Sequence, residues 1–327
     1  MIRRLLPLAV LPVAALALAG CAAPAPSGDS ELVIVATTSV YGDLAAGVAG
    51  DRARVVSIID SAAQDPHSYE LTARDRLELE TADLVVSNGG GYDPWAQQVL
   101  DSADAAGPSI VAVDALGLSP EGDHDEAAGI GEADGDAQES AGHDDAGHDH
   151  VEGFNEHVWY DPSLMSRLVG LIADELARID PAGSADYAAN ASALEGELDG
   201  LAARATALVP LADGRGVVVT EPAPLRLLEL AGLADLTPAG FSEAIEEGGD
   251  IAPALLQDVL TTLAEPEVAL VAVNVQTGGA ETDRVETAAR AEGVPVLDIG
   301  ETLPEGMGYL AWMGSVIDDL DAALGAR

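Results

Sequence analysis

The stretch Ser184 to Leu208 reads S-A-D-Y-A-A-N-A-S-A-L-E-G-E-L-D-G-L-A-A-R-A-T-A-L. It contains no proline, follows the breaker Asp180-Pro181-Ala182-Gly183, and begins on Ser184, a residue suited to cap a helix. The pattern predicts one long helix over 184–208. At about 1.5 Å per residue it would span about 37 Å, enough to cross two lobes. The chain on either side decides the fold, because the same kind of pattern lies on both.

Before this helix, Leu32–Thr38 (L-V-I-V-A-T-T) is short, apolar and β-branched, which predicts a buried parallel strand; a helix over 39–50 follows. Further strands are expected at 55–60, 84–87 and 110–113, with helices at 72–82 and 95–103 between them. Asp161-Pro162 then opens an amphipathic helix ending near Asp180. Beyond the long helix the alternation restarts. Strands are expected at 216–220, 268–275 and 294–299, and helices at 224–231, 251–263, 282–292 and 309–324. Alternating strands and helices argue for parallel sheets. The expected fold is α/β: two open parallel-sheet lobes, 31–183 and 209–327, joined by one long rigid helix at 184–208. In such lobes the C-terminal ends of the strands share one edge, so a ligand belongs in the cleft between them.

Residues 119–153 interrupt the first lobe with Gly, Asp, Glu, Ala and His and almost no apolar periodicity, as expected of a disordered insertion. The 327-residue chain holds 57 Asp plus Glu against 14 basic residues, every one of them Arg. With no basic patch to displace phosphate counterions, a nucleic-acid partner is excluded. The same field attracts cations, although bulk acidity of this kind also follows from genome composition or salt tolerance.

At the N-terminus, Arg3 and Arg4 precede an apolar run from Leu5 to Leu18, about the length of a signal h-region and short for a membrane span. It ends in L-A-G-C. The small residues before Cys21 resemble a bacterial lipobox, which implies cleavage before Cys21 and lipid attachment to its sulfur. Cys21 is the sole cysteine, so the mature chain would have no disulfide. Residues 1–20 are then the signal peptide and 21–30 a tether. The expected location is outside the cytoplasm, anchored to the membrane by lipid.

Four strand ends carry metal-ligating side chains. D-P-H-S-Y-E at 65–70 follows the second strand and holds His67; N-E-H-V-W-Y-D-P at 155–162 follows the insertion and holds His157. V-T-E-P at 219–222 holds Glu221, and D-I-G-E-T at 298–302 holds Glu301, with Asp298 as the fallback. Imidazole and carboxylate are ligands for divalent first-row metals. Each has a plainer reading: a satisfied loop histidine for His67 or His157, a helix-terminal or turn acid for Glu221 or Glu301. The remaining histidines, His124, His143, His148 and His150, all lie in the acidic insertion. They are expected to make weak metal contacts or simply to decorate a solvated loop.

These motifs resemble the metal-binding lipoproteins that supply zinc or manganese to ABC importers, the cluster A-I solute-binding proteins. D-P-H-x-Y-E and H-V-W-x-D-P carry that family's two histidine ligands and match here as D-P-H-S-Y-E and H-V-W-Y-D-P. The resemblance covers about Glu31 to Arg327. It implies His67, His157, Glu221 and a fourth carboxylate, best placed at Glu301, as ligands of transported Zn(II) or Mn(II). It also implies a membrane permease of an ABC importer as partner, and a monomeric protein without enzymatic activity. Two imidazoles and two carboxylates suit Mn(II) or Fe(II) at least as well as Zn(II), whereas the His-bearing insertion resembles the loop of zinc-binding members. Two other classes stand beside this one. A surface adhesin is compatible with a lipid anchor. An anchored metallohydrolase would need a general base such as Glu156, but the chain has no H-E-x-x-H, no G-x-S-x-G and no P-loop.

Overall fold

The computed structural model describes residues 32–326, except 62, 65, 68, 103–106 and 120–153. Cys21, His124, His143, His148 and His150 lie outside the described residues, as do the signal peptide and tether.

The first lobe runs β1 (Leu32–Thr38), α1 (Ser39–Ala49), β2 (Ala53–Ile59), α2 (Ala73–Thr81), β3 (Leu84–Ser87), α3 (Pro94–Leu100), β4 (Ser109–Val111) and α4 (Ala112–Ala115). Then come α5 (Pro162–Ile179), the long α6 (Ser184–Thr206) and the short α7 (Val209–Ala212). The second lobe runs β5 (Gly216–Val219), α8 (Leu225–Leu230), β6 (Ala234–Asp235), α9 (Phe241–Glu246), α10 (Pro253–Thr262), β7 (Val268–Asn274), α11 (Ala280–Glu292), β8 (Val296–Ile299) and α12 (Tyr309–Gly325).

All strand pairs are parallel, and the sheet orders are β2-β1-β3-β4 and β6-β5-β7-β8. The two lobes therefore have the same topology, with connections leaving in opposite directions from the first and third strands of each. That reversal opens a crevice at the C-terminal strand ends.

Two departures from the sequence expectation matter for the site. The sequence pattern assigns no element to 232–250, and the structure places β6 and α9 there. β6 has only two residues, both exposed, so no alternation marks it; its pairing with Gly216 and Val217 defines it. The fourth strand stops at Val111 instead of 113, and the chain turns into α4, with Val113 N donating to Asn88 O at 2.9 Å.

α6 buries Tyr187, Ala191, Leu198, Leu201 and Ala205, a stripe at helical spacing. It packs along α5 and also reaches α1 and α12. α5 starts where Asp161 accepts from Ser163 N at 2.8 Å and Pro162 occupies the first turn. One core cluster runs from Ile34 and Leu44 of the first lobe, through Leu168 and Ile172 of α5 and Leu198 of α6, to Leu270 and Met313 of the second. The lobes are thus joined by continuous packing as well as by the connecting helix. Among the described residues no helix is long and apolar enough to cross a membrane.

Candidate metal centre

The loop after β2 delivers His67. Trp95 Nε1 of α3 donates to Pro66 O at 3.3 Å, and Tyr69 Oη donates to Asp75 Oδ2 at 2.8 Å. Asp75 forms a capping box with Thr72 at the start of α2. The residues flanking His67 in D-P-H-S-Y-E therefore pin its loop to two helices. The Tyr92 ring stands edge-on to the imidazole, centroids 4.9 Å apart, and His67 is only 5% exposed.

Tyr92 is itself placed by the N-G-G-G turn after β3. Gly89, Gly90 and Gly91 all have positive φ (78°, 67° and 98°), which a side chain would strain. Asp93 closes the turn by accepting from Asn88 N and Gly89 N at 2.7 and 2.8 Å. Asn88 Nδ2 then donates to Glu156 O at 3.1 Å, tying the turn to the segment that carries His157.

His157 is fully buried. Its backbone N donates to Asn155 Oδ1 at 3.0 Å, and its Nδ1 lies 3.0 Å from the same oxygen. Asn155 Nδ2 donates to Pro222 O, which can only accept, at 2.8 Å. The amide orientation is thereby set, and Nδ1 of His157 must be the protonated nitrogen that donates to Oδ1. The Nε2 lone pair is left for the cleft, the arrangement that orients metal-binding histidines. The Trp159 ring packs against the imidazole at 5.0 Å, and Tyr309 Oη of α12 donates to Trp159 O at 2.6 Å.

The second lobe contributes carboxylates. Glu301, after β8, is 2% exposed, while Asp298 on β8 points to solvent. Strand alternation sends Leu297 and Ile299 inward and Asp298 out, so Glu301 is the carboxylate that enters the cleft. Its backbone N donates to Gln276 Oε1. Asn274 Nδ2, at the end of β7, donates to Glu301 Oε1 at 2.8 Å and also to Glu221 Oε2. Thr277 Oγ1 donates to the other Glu221 oxygen.

The cleft gathers these groups closely. His67 Nε2 lies 3.3 Å from Glu301 Oε2. His67, His157 and Glu301 form one group whose donor atoms all lie within 4.8 Å of one another; His67, Glu156 and Glu246 form a second. Glu221 is buried next to Glu301 across Asn274 but belongs to neither group. No sequence motif marks Glu246. Its side chain, 5% exposed at the end of α9, brings Oε1 to 3.1 Å from His157 Nε2 and 3.7 Å from His67 Nε2. Two donors each about 2.1 Å from one ion are about 3.0 Å apart at a right angle and about 3.4 Å apart at a tetrahedral angle. The 3.1 and 3.3 Å spacings fall in that range, and the 3.7 Å spacing is longer. His157 Nε2 and Glu246 Oε1 are buried and face each other, and buried Glu301 Oε2 faces His67 Nε2, an arrangement that a cation among them would satisfy.

The signal for Glu246 lies in the topology. His67 follows the second strand of the first lobe, and Glu246 follows the second strand of the other. Because β6 is nearly invisible in the sequence, that correspondence was hidden.

Ionisation reflects this crowding. Burial disfavours the His67 cation, but the hydrogen bond and charge of Glu301, with Glu246 and Glu156 beyond, lift its pKa to about 9. His157 is also raised, against its burial, by Glu246 first and then by Glu156 and Glu301. Glu221 is pushed up to about 7 by burial and by repulsion from Glu301. Burial would raise Glu301 too, yet its hydrogen bond to His67 and the charges of both histidines bring it down to about 2. Without a metal, the centre balances carboxylates with protons.

Residues 34–323 match the family described as zinc-uptake complex component A, periplasmic. The chain is 31% identical over 188 residues to the manganese-binding lipoprotein MntA of Halalkalibacterium halodurans, covering 56% of this chain and 53% of that protein. It is 30% identical over 174 residues to the zinc-binding lipoprotein AdcA of Streptococcus pneumoniae, covering 53% of this chain and 32% of that one. The chain therefore spans about half or less of the length of these relatives. Among solved structures, the solute-binding protein FpvC of Pseudomonas aeruginosa, in complex with Mn(II), superposes with a TM-score of 0.67 at 23% identity, covering 90% of this chain and 99% of that one; at that identity the likeness concerns the fold. With the family match extending across both lobes, the chain belongs to the zinc-uptake complex component A (ZnuA) family of periplasmic metal-binding proteins.

Proposed function

We propose that this protein captures a divalent transition metal, Zn(II) or Mn(II), outside the cytoplasm and delivers it to the membrane permease of an ABC importer. The ion is held by His67 and His157 from the first lobe and by Glu301 and Glu221 from the second. The observation that carries this reading is the buried set His67, His157 and Glu301, one donor atom from each lying within 4.8 Å of the others. The centre is buried and its donors come from both lobes, so the chemistry it supports is retention of an ion. Activation of a metal-bound water would require an open position.

The acidic chain favours approach of a cation. Cys21 supplies the lipid anchor, in keeping with the lipoprotein names of the relatives MntA and AdcA. The histidines of the insertion, His124, His143, His148 and His150, act as weak collectors outside the tight site.

The test is metal accumulation in the native host. Cells carrying His67→Ala or His157→Ala in place of the wild-type chain should lose high-affinity uptake of one of these metals, and protein purified from wild-type cells should carry that metal at one ion per chain. Normal uptake in both variants would overturn the assignment.

A further inference from the structure

We infer that Glu246 is a direct ligand of the captured ion and the residue that biases the site toward an oxygen-preferring ion such as Mn(II). This rests on the metal-capture reading above and extends it to a position no motif marks.

Four observations converge on Glu246. Its carboxylate is nine-tenths or more buried, with a side-chain exposure of 5%. The ion pairs it makes among the described residues are with the two imidazoles, at 3.1 Å to His157 Nε2 and 3.7 Å to His67 Nε2. Its Oε1 and the His157 Nε2 it faces are both buried, and neither has another hydrogen-bond partner. Because Asn155 fixes the His157 proton on Nδ1, neutral His157 presents a lone pair to a carboxylate oxygen. Two acceptors at that separation repel one another unless a proton or a cation stands between them, and a metal ion at the shared position satisfies both.

Glu246 is also better placed than Glu221. Its carboxylate groups with His67 within 4.8 Å, whereas Glu221 lies outside both donor groups with its oxygens held by Asn274 and Thr277. With Glu246 and Glu156, which group with His67, beside Glu301, the centre offers three carboxylates to two imidazoles. Closed zinc sites are typically four-coordinate, whereas oxygen-rich sets of higher coordination suit Mn(II). The ligand class is therefore a divalent ion that accepts five or more donors, mostly oxygen.

The test is a crystal structure of the wild-type protein loaded with Mn(II), paired with competition between Mn(II) and Zn(II) for wild type, Glu246→Gln and the exposed neighbour Glu247→Gln. The expected structure has a Glu246 oxygen about 2.0–2.3 Å from the ion. Glu246→Gln is expected to weaken Mn(II) binding at least about tenfold, as loss of a charged ligand does, and Zn(II) binding less; Glu247→Gln should match wild type. An ion bound by His67 and His157 with Glu246 standing well outside bonding distance overturns the inference and leaves the capture function intact. So does a Glu246→Gln variant that binds Mn(II) as tightly as wild type. A wild-type protein that binds neither ion defeats the capture function itself.

Discussion

Nδ1 of His157 lies 3.0 Å from Oδ1 of Asn155, whose amide nitrogen donates 2.8 Å across to Pro222 O in the second lobe. One side chain thus sets the tautomer of a first-lobe histidine and fastens it to the loop that carries Glu221. Asn155→Ala should weaken metal binding by about 10- to 100-fold, the usual cost of losing a hydrogen bond that orients a ligand. The apo fold should persist, since Arg226 Nη2 still donates to the residue-155 carbonyl. Calorimetric titration with Mn(II) and Zn(II) checks this, and unchanged affinity would show that Asn155 does not orient the ligand.

Proton competition follows from the ionisation of the centre. The sequence alone sets the loss of affinity below about pH 6.5, the ordinary histidine value. With His67 lifted to about 9 by Glu301 and its neighbours, the metal-free site holds a proton there at neutral pH. Binding must expel it, so affinity should already decline as pH falls through about 9, and further toward acid. The same shift means that this proton stabilises the apo protein below the ordinary histidine pKa, and that its contribution is lost as pH rises through about 9. Titrations in buffers of different ionisation enthalpy should report proton release at pH 7.5. Binding with no proton release, and flat from pH 9 to 6, would contradict it.

Asn274 is the hinge of the acidic side. Its Nδ2 donates to Glu301 Oε1 at 2.8 Å and to Glu221 Oε2. Asn274→Ala removes that donor and leaves two buried carboxylates facing each other. Apo stability should fall by about 1–3 kcal/mol, the cost of an unsatisfied buried polar group. Saturating metal should recover much of it, since a ligand bound only to the native state adds stability. Urea unfolding with and without Mn(II) measures both. Equal destabilisation in both conditions would place Asn274 outside the metal's influence.

The relation between sequence and structure is clearest at these residues. His67 and His157 were legible because each sits in a dense local motif whose flanking residues do visible structural work: Tyr69 joins the α2 cap, and Asp161 caps α5. Both lobes were legible because buried parallel strands such as Leu32–Thr38 and Val268–Asn274 read as continuous apolar runs. Glu246 was not legible. It depends on β6, a two-residue exposed strand whose existence is decided by pairing with β5. Asn274 and Asn155 carry no motif of their own, and their roles arise only when strand ends from two lobes meet.

The insertion is separable from the tight site in this account. His67, His157, Glu221, Glu246 and Glu301 all lie outside residues 121–150. Deleting 121–150 should leave the tightest binding step within error of wild type and remove weaker, superstoichiometric binding. Equilibrium dialysis over a wide metal range distinguishes the two. Loss of the tight step on deletion would move the site into the insertion.

Lobe movement should be small. The core runs without a break from β1 through α5 and α6 to α12, and packed interiors resist continuous deformation. Small-angle scattering of apo and metal-loaded protein should give the same radius of gyration within error; a clear contraction would indicate a hinge.

The most direct measurement is competitive calorimetric titration of the wild-type chain beside His67→Ala and His157→Ala, with Zn(II) and Mn(II) as the metals. The account predicts one tight site per chain in the wild type, absent from both variants while their apo folds are retained. Tight stoichiometric binding that survives in either variant would contradict it.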